Sequence, residues 1–199
     1  GMGGELGTRV AQLLETNREV DEIAGLDVDP PRRRLRRAEF HRINPRDRTR
    51  SVAFVRAFDP DVVVHLGIYE PNARTGPRSA VERTRAGTVS ILGAAAECPS
   101  LRSIVVRSGI EVYGRRRGCA TVPAEDVPRD PTSPFGTSLA EAEDIATSAG
   151  WAADVPVTLL RMAPVLGPHV PSPLGRYLRM APIVPISAFA DPTFSLLHQ

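Results

Sequence analysis

Gly1-Met-Gly-Gly4-Glu-Leu-Gly7-Thr-Arg-Val-Ala-Gln-Leu-Leu-Glu15 is the stretch that decides the fold of this chain. It spells G-x-x-G-x-x-G and opens directly into an amphipathic pattern that predicts a helix over Thr8–Thr16. In such a turn the first glycine permits a tight bend, the second lets backbone approach a phosphate, and the third lets the helix pack against a sheet. The phosphate then rests on the positive N-terminus of the helix. The glycines alone also fit a plain glycine-rich turn, so the residues around them carry the argument.

Glu22–Asp27 (EIAGLD) reads as a short strand ending in an acid. An acid there holds the ribose hydroxyls of a bound adenosine. Its charge repels a 2′-phosphate, so the expected cofactor is NAD rather than NADP. Arg32, Arg33 and Arg34 follow and pull the other way, because an Arg near the ribose accommodates that phosphate. The plainer reading of Arg32–Arg37 is a solvated helix face.

Outward from the turn, short β-like runs alternate with helical ones. Glu39–Ile43, the Val-rich Asp61–Leu66, Ser103–Arg107 and Val155–Arg161 read as strands. Thr49–Phe58, Ser79–Glu97 and Ser138–Ala149 read as helices. Strands alternating with helices predict an α/β, Rossmann-type, doubly wound parallel sheet covered on both faces. That fold expects a central strand ahead of Gly1. Without it two strand edges are open, so the 199-residue piece is expected to be unstable alone. Pro164, Pro168, Pro171 and Pro173 break the pattern, and a short helix is predicted around Leu174–Met180. The division expected is a nucleotide-binding domain over 1–166 and the start of a truncated substrate-binding region over 167–199.

Composition narrows the function. With 42% apolar residues and a net charge of +2, the chain suits a globular protein and not a polybasic nucleic-acid binder. No apolar run approaches the ~20 residues of a membrane span. Cys98 and Cys119 show no metal-ligand spacing, and no HxxxH or CxxC occurs, so no metal is expected and a cytoplasmic, reduced protein is. All 25 basic residues are Arg. That removes any mechanism needing a titratable amine.

Several spaced motifs join the glycine turn. They are Val63-Val-His65-Leu66-Gly67, Thr84 with Ala86-Gly87-Thr88, Ser108-Gly-Ile-Glu-Val112-Tyr113-Gly114, and Leu160-Arg161 followed by Val165-Leu-Gly167-Pro168. Leu196-Leu197-His198 closes the series. Together they resemble the NAD-dependent epimerase/dehydratase family, the extended short-chain dehydrogenases/reductases that act on nucleotide sugars. The resemblance implies an NAD cradle of Gly1, Gly4, Glu5, Leu6, Gly7, Asp27, Asn44, Leu66, Gly67, Thr84, Arg107, Phe135, Leu139 and Met162. It also implies a sugar-like substrate and a homodimer built on the helices at Ser79–Glu97 and Ser138–Ala149. That family uses Tyr-x-x-x-Lys on one helix: four residues make about one turn, the Lys lowers the Tyr pKa, and the Tyr exchanges a proton with a substrate hydroxyl. Here Phe135 and Leu139 stand at those places. The upstream Ser/Thr position falls at Gly109, beside Ser108, and the sugar-contacting Asn position falls at Pro164.

The remaining catalytic candidates are Ser108, Glu111 and Tyr113. Glu111 could act as a base, against the plainer reading of an exposed loop acid; Tyr113 could act as a substitute acid, against a structural tyrosine. His65 reads as a packed core histidine, and Arg115-Arg116-Arg117 as a solvated turn. Three functions follow: an NAD-binding regulatory or scaffolding protein without the usual Tyr–Lys chemistry; an epimerase/dehydratase or oxidoreductase working through other residues; and an interaction or nucleic-acid module, against which the near-neutral charge and the retained glycines argue.

Overall fold

The computed structural model describes residues 1–73, 75–116, 123–166 and 197–198. Helix α1 (Glu5–Leu14) starts immediately after Gly4, earlier than the predicted Thr8, because Gly4 is extended (φ −70°, ψ 165°) and hands over to helix at Glu5. Strand β1 (Ala24–Asp27) pairs in parallel with β2 (Glu39–Arg42), Asp27 opposite Arg42. Then come α2 (Arg48–Phe58), β3 (Val62–His65), α3 (Pro77–Ala95), β4 (Ser103–Gly109), a 3-10 turn over Ile110–Tyr113, α4 (Pro134–Ala153) and β5 (Val157–Met162). Strands β3, β4 and β5 form a parallel ladder in that order. A last short pair, β6 (Val165–Leu166) and β7 (Leu197–His198), is also parallel. This is the Rossmann-type α/β alternation that the sequence predicts.

Among the described residues, β1–β2 and β3–β4–β5 are separate ladders. The backbone of Gly1 lies between their C-terminal ends. Its nitrogen donates to Leu26 O at 2.8 Å, and a Cβ on Gly1 would stand 2.5 Å from the Leu66 carbonyl carbon.

Local chemistry sets the element ends. Asp47 caps α2 by accepting from Arg50 N at 3.0 Å, and Asp59 stops it in the left-handed region (φ 48°). Ser133 caps α4 by accepting from Gly136 N at 3.0 Å, with Pro134 in the first turn and Asp154 (φ 54°) closing it. Helix α4 therefore begins well ahead of the predicted Ser138, and its first turns carry Phe135 and Leu139.

Helices α2, α3 and α4 lie side by side on one face of β3–β4–β5. Val55, Leu92, Ile104, Val106 and Ala146 form the core there. Each large aliphatic side chain buried there contributes on the order of 1.5–3 kcal/mol. On the opposite face Val62, Val64 and Leu160 are exposed, so among the described residues this side of the ladder is open rather than covered. A smaller core of Met2, Ala11 and Ile23, joined by Phe40, holds α1 to β1–β2.

Residues 32–37 form no helix, which corrects the helix-face reading. Glu15 instead accepts from the backbone N–H groups of Arg36 (2.6 Å), Arg37 (2.7 Å) and Ala38 (2.9 Å) and fixes the segment as a bend. Burial pushes the Glu15 carboxyl up, but these amides outweigh it and hold the group below its ordinary range. The predicted helix at Leu174–Met180, the Gly167-Pro168 end of the last motif, Arg117, Cys119 and His169 lie outside the described residues.

Candidate functional site

The glycine turn and the acid after it meet. Gly3 N donates to Asp27 Oδ2 at 3.0 Å, and Val28 N donates to Oδ1 at 2.7 Å. Gly7 has no room for a side chain, since a Cβ there would stand 1.9 Å from Gly1 O. Gly4, Glu5 and Leu6 form the N-terminus and first turn of α1, where no side chain caps the helix. The Glu5 carboxylate is 3% exposed, an unusual charge for an anion-binding helix end. It is offset by Arg9 Nε and Arg33 Nη2, each 3.3 Å from Oε1.

Leu66 and Gly67 follow β3 beside Gly1. His65, at the strand end, is buried with its Nε2 3.0 Å from Thr88 Oγ1. Thr88 Oγ1 itself donates to Thr84 O at 2.7 Å, so its oxygen accepts from His65 and the imidazole is assigned as the Nε2–H tautomer. Burial lowers the His65 pKa to about 3. Thr84 Oγ1 accepts from Tyr69 N at 3.0 Å. Tyr69 is pushed up to about 12 by burial, aided by the charge of Asp27 and opposed by Arg83. Asn44 is exposed, and its Oδ1 accepts from Arg46 N at 3.0 Å in the turn before α2.

The other end of the site forms around β4, the 3-10 turn and α4. Arg107 forms an ion pair with Glu70, both side chains largely buried, and donates to Ile68 O at 3.4 Å. Met162 is the partner of Gly109 in the β4–β5 register. Leu139, 1% exposed, packs with Ile68, Val112, Tyr113 and Ala142, and Phe135 closes over the same cluster. The surroundings of Leu139 are therefore apolar.

Ser108 and Tyr113 are drawn into a charged network beneath this cluster. The Ser108 hydroxyl donates to Glu143 Oε1 at 2.6 Å. Arg161 donates to Glu143 Oε1 from Nε at 2.9 Å and to Oε2 from Nη2 at 2.8 Å. Its Nη1 donates to the Tyr113 phenol oxygen at 2.9 Å, and its guanidinium lies 4.9 Å from the Tyr113 ring centroid. Arg129 adds a second cation, Nη1 to Glu143 Oε2 at 3.4 Å. The hydrogen bond with Glu143 is the largest cause raising the Arg161 pKa above its ordinary value. Glu111 is half-buried. Burial pushes its carboxyl up; its own backbone N–H opposes this, Glu70 adds to it, and Arg107 and Arg115 pull it back.

Sequence reasoning missed Glu143 and Arg129. The available signal was spacing: Phe135, Leu139 and Glu143 recur every fourth residue, so the acid lies on the inward face of α4. Among the described residues no three His, Cys, Asp or Glu side chains are grouped to hold a metal, and no helix is long and apolar enough to cross a membrane.

Residues 1–185 match the NAD dependent epimerase/dehydratase family. The chain belongs to that family. Uncharacterised proteins of Mycobacterium tuberculosis and Mycobacterium bovis are each 31% identical over 202 residues, covering 100% of this chain and 53% of the relative. The chain thus spans about half the length of the curated relatives it matches. Among solved structures, UDP-glucose 4-epimerase of Thermotoga maritima with UDP-glucose superposes with a TM-score of 0.72 at 20% identity, over 85% of this chain and 55% of that one. The Bordetella bronchiseptica enzyme WbmH in complex with NAD+ gives 0.74 at 21%, over 90% and 60%. UDP-glucuronic acid 4-epimerase from Bacillus cereus in complex with NAD gives 0.68 at 23%, over 85% and 56%. These likenesses show the fold.

Proposed function

We propose that this chain is the nucleotide-binding part of an NAD-binding protein that handles a sugar-like ligand without Tyr–Lys proton transfer. The observation carrying the reading is the bond from Gly3 N to Asp27 Oδ2 at 3.0 Å, which ties the glycine turn to the acid at the uncapped start of α1. The residues present fit a dinucleotide. The pyrophosphate would meet the first-turn amides of α1, with Arg9 and Arg33 offsetting Glu5. The ribose would meet Asp27, whose charge disfavours a 2′-phosphate. Bound there, NAD would supply a hydride acceptor. A sugar-like ligand is supported by the fold neighbours, which include epimerases solved with UDP-glucose and with NAD.

Phe135 has no proton to exchange, and Leu139 has no charge to tune one. Both sit in an apolar cluster instead. Calorimetric titration of NAD+ and NADP+ into the full-length protein tests the reading. Micromolar NAD+ binding, weaker NADP+ binding and a loss of at least ~10-fold in Asp27→Ala support it, the factor corresponding to one lost hydrogen bond to a charged group. Binding of neither dinucleotide overturns it.

A further inference from the structure

Gly109 ends β4 at the place where the family resemblance sets a Ser or Thr hydroxyl. The space that such a side chain would fill is occupied. A Cβ on Gly109 would stand 2.3 Å from Glu111 Oε2 and 3.0 Å from Leu139 Cδ1. Glu111 lies in the 3-10 turn that follows β4. Its side chain folds back, so that a carboxylate oxygen lies where a side chain at 109 would stand. The turn also packs closely on α4: a Cβ on Gly136 would stand 2.4 Å from Glu111 O, so only a glycine lets the helix approach this far. Loss of one polar group at 109 and gain of another from 111 thus meet at one point.

We propose that Glu111 is the catalytic proton acceptor of this site, its carboxylate receiving the proton of a secondary alcohol on a sugar-like substrate. The proposal rests on the NAD-binding reading above. NAD, when bound, would supply the acceptor for the hydride of the substrate's carbinol carbon. The O–H bond on that carbon breaks toward Glu111 Oε2. The O–H electron pair becomes the second bond of the new carbonyl, and the carboxylate becomes a neutral acid. The charged groups that face Glu111 are Glu70 from the segment after β3, Arg107 from β4 and Arg115 beyond the 3-10 turn. Burial and Glu70 raise its proton affinity, as a base at neutral pH requires, and the two arginines limit the rise.

The test uses full-length protein loaded with NAD+, in wild-type, Glu111→Gln and Gly109→Ser forms. Glu111→Gln keeps the shape and removes the base. Gly109→Ser displaces the carboxylate by filling its space. UDP-glucose, UDP-galactose and UDP-glucuronic acid are added, and reduced nicotinamide is read by its absorbance. In parallel, ¹³C NMR follows the Glu111 carboxyl with pH. The proposal expects reduction in wild type with at least one sugar, a fall of ~10²-fold or more in both variants, and a carboxyl midpoint above the ordinary range. Equal rates in wild type and Glu111→Gln overturn it, as does an ordinary carboxyl midpoint or the absence of reduction with all three sugars. Failure of NAD+ to bind wild type is read separately by calorimetry and rejects the cofactor reading instead.

Discussion

Glu143 and Arg161 clasp each other in two-pronged geometry, Nε to Oε1 at 2.9 Å and Nη2 to Oε2 at 2.8 Å, with the carboxylate side chain 1% exposed. The pair joins α4 to β5, and through Ser108 and Tyr113 it also holds the end of β4 and the turn after it. Removing one partner leaves the other as an uncompensated buried charge. Glu143→Ala should therefore cost about 3–5 kcal/mol in denaturant unfolding. Glu143→Gln, which keeps an acceptor for Ser108, should cost less. A loss in Glu143→Ala below about 1 kcal/mol would show that water or another residue takes the carboxylate's place.

His65 gives a pH signature. Its ordinary pKa is 6.5 and burial lowers it to about 3 in the folded chain. The unfolded chain binds the proton first, so the stabilising contribution is complete above 6.5 and is lost as pH falls toward 3. The slope from this residue is at most roughly 1.4 kcal/mol per pH unit. Glu15, whose folded carboxyl is held low, adds loss in the same direction at the acid end. His65→Gln should flatten the slope between pH 6 and 4, measured by urea unfolding at each pH. An unchanged slope would place the titration elsewhere.

Leu139 tests whether the usual chemistry could be restored. At 1% exposure among apolar neighbours, Leu139→Lys buries an ammonium without a partner and should cost at least ~2 kcal/mol. Leu139→Met conserves volume and should cost less than ~1.5 kcal/mol. The double change Phe135→Tyr, Leu139→Lys should not raise turnover if, as proposed, Glu111 receives the substrate proton. A rise in turnover would mean that the site still expects the Tyr–Lys pair.

Gly7 tests the turn itself. Its missing Cβ would lie 1.9 Å from Gly1 O, so Gly7→Ala must displace the first glycine. NAD+ affinity, read by calorimetry, should fall by at least ~10-fold while the far-UV circular dichroism stays near wild type, since no residue of the turn belongs to the core that holds α2, α3 and α4. Unchanged affinity would remove the turn from the binding site.

The fold was legible wherever periodicity and length agree. The Val-rich run Asp61–Leu66 contains β3 (Val62–His65), and the helical pattern Thr49–Phe58 matches α2 (Arg48–Phe58) to within one residue. The start of α4 was missed because Gly136 and Thr137 dilute the helical pattern, although Ser133-Pro134 spelled a cap and a first-turn proline. The Arg-rich stretch was misread because charge spacing does not reveal that Glu15 claims three backbone amides from it. In the candidate site, the meeting of the glycine turn with Asp27 was legible, because the turn and the strand-end acid belong to adjoining elements. Glu143 with Arg161, and Glu5 with Arg33, could not, since a buried ion pair resembles two surface charges until the fold brings them together.

The most direct measurement is a crystal structure of the full-length protein grown with NAD+. The account predicts the pyrophosphate on the backbone amides of the Gly1–Gly7 turn, the adenosine ribose on Asp27, and Phe135 and Leu139 still packed in their apolar cluster. A dinucleotide bound elsewhere, or an empty turn at saturating NAD+, would contradict it.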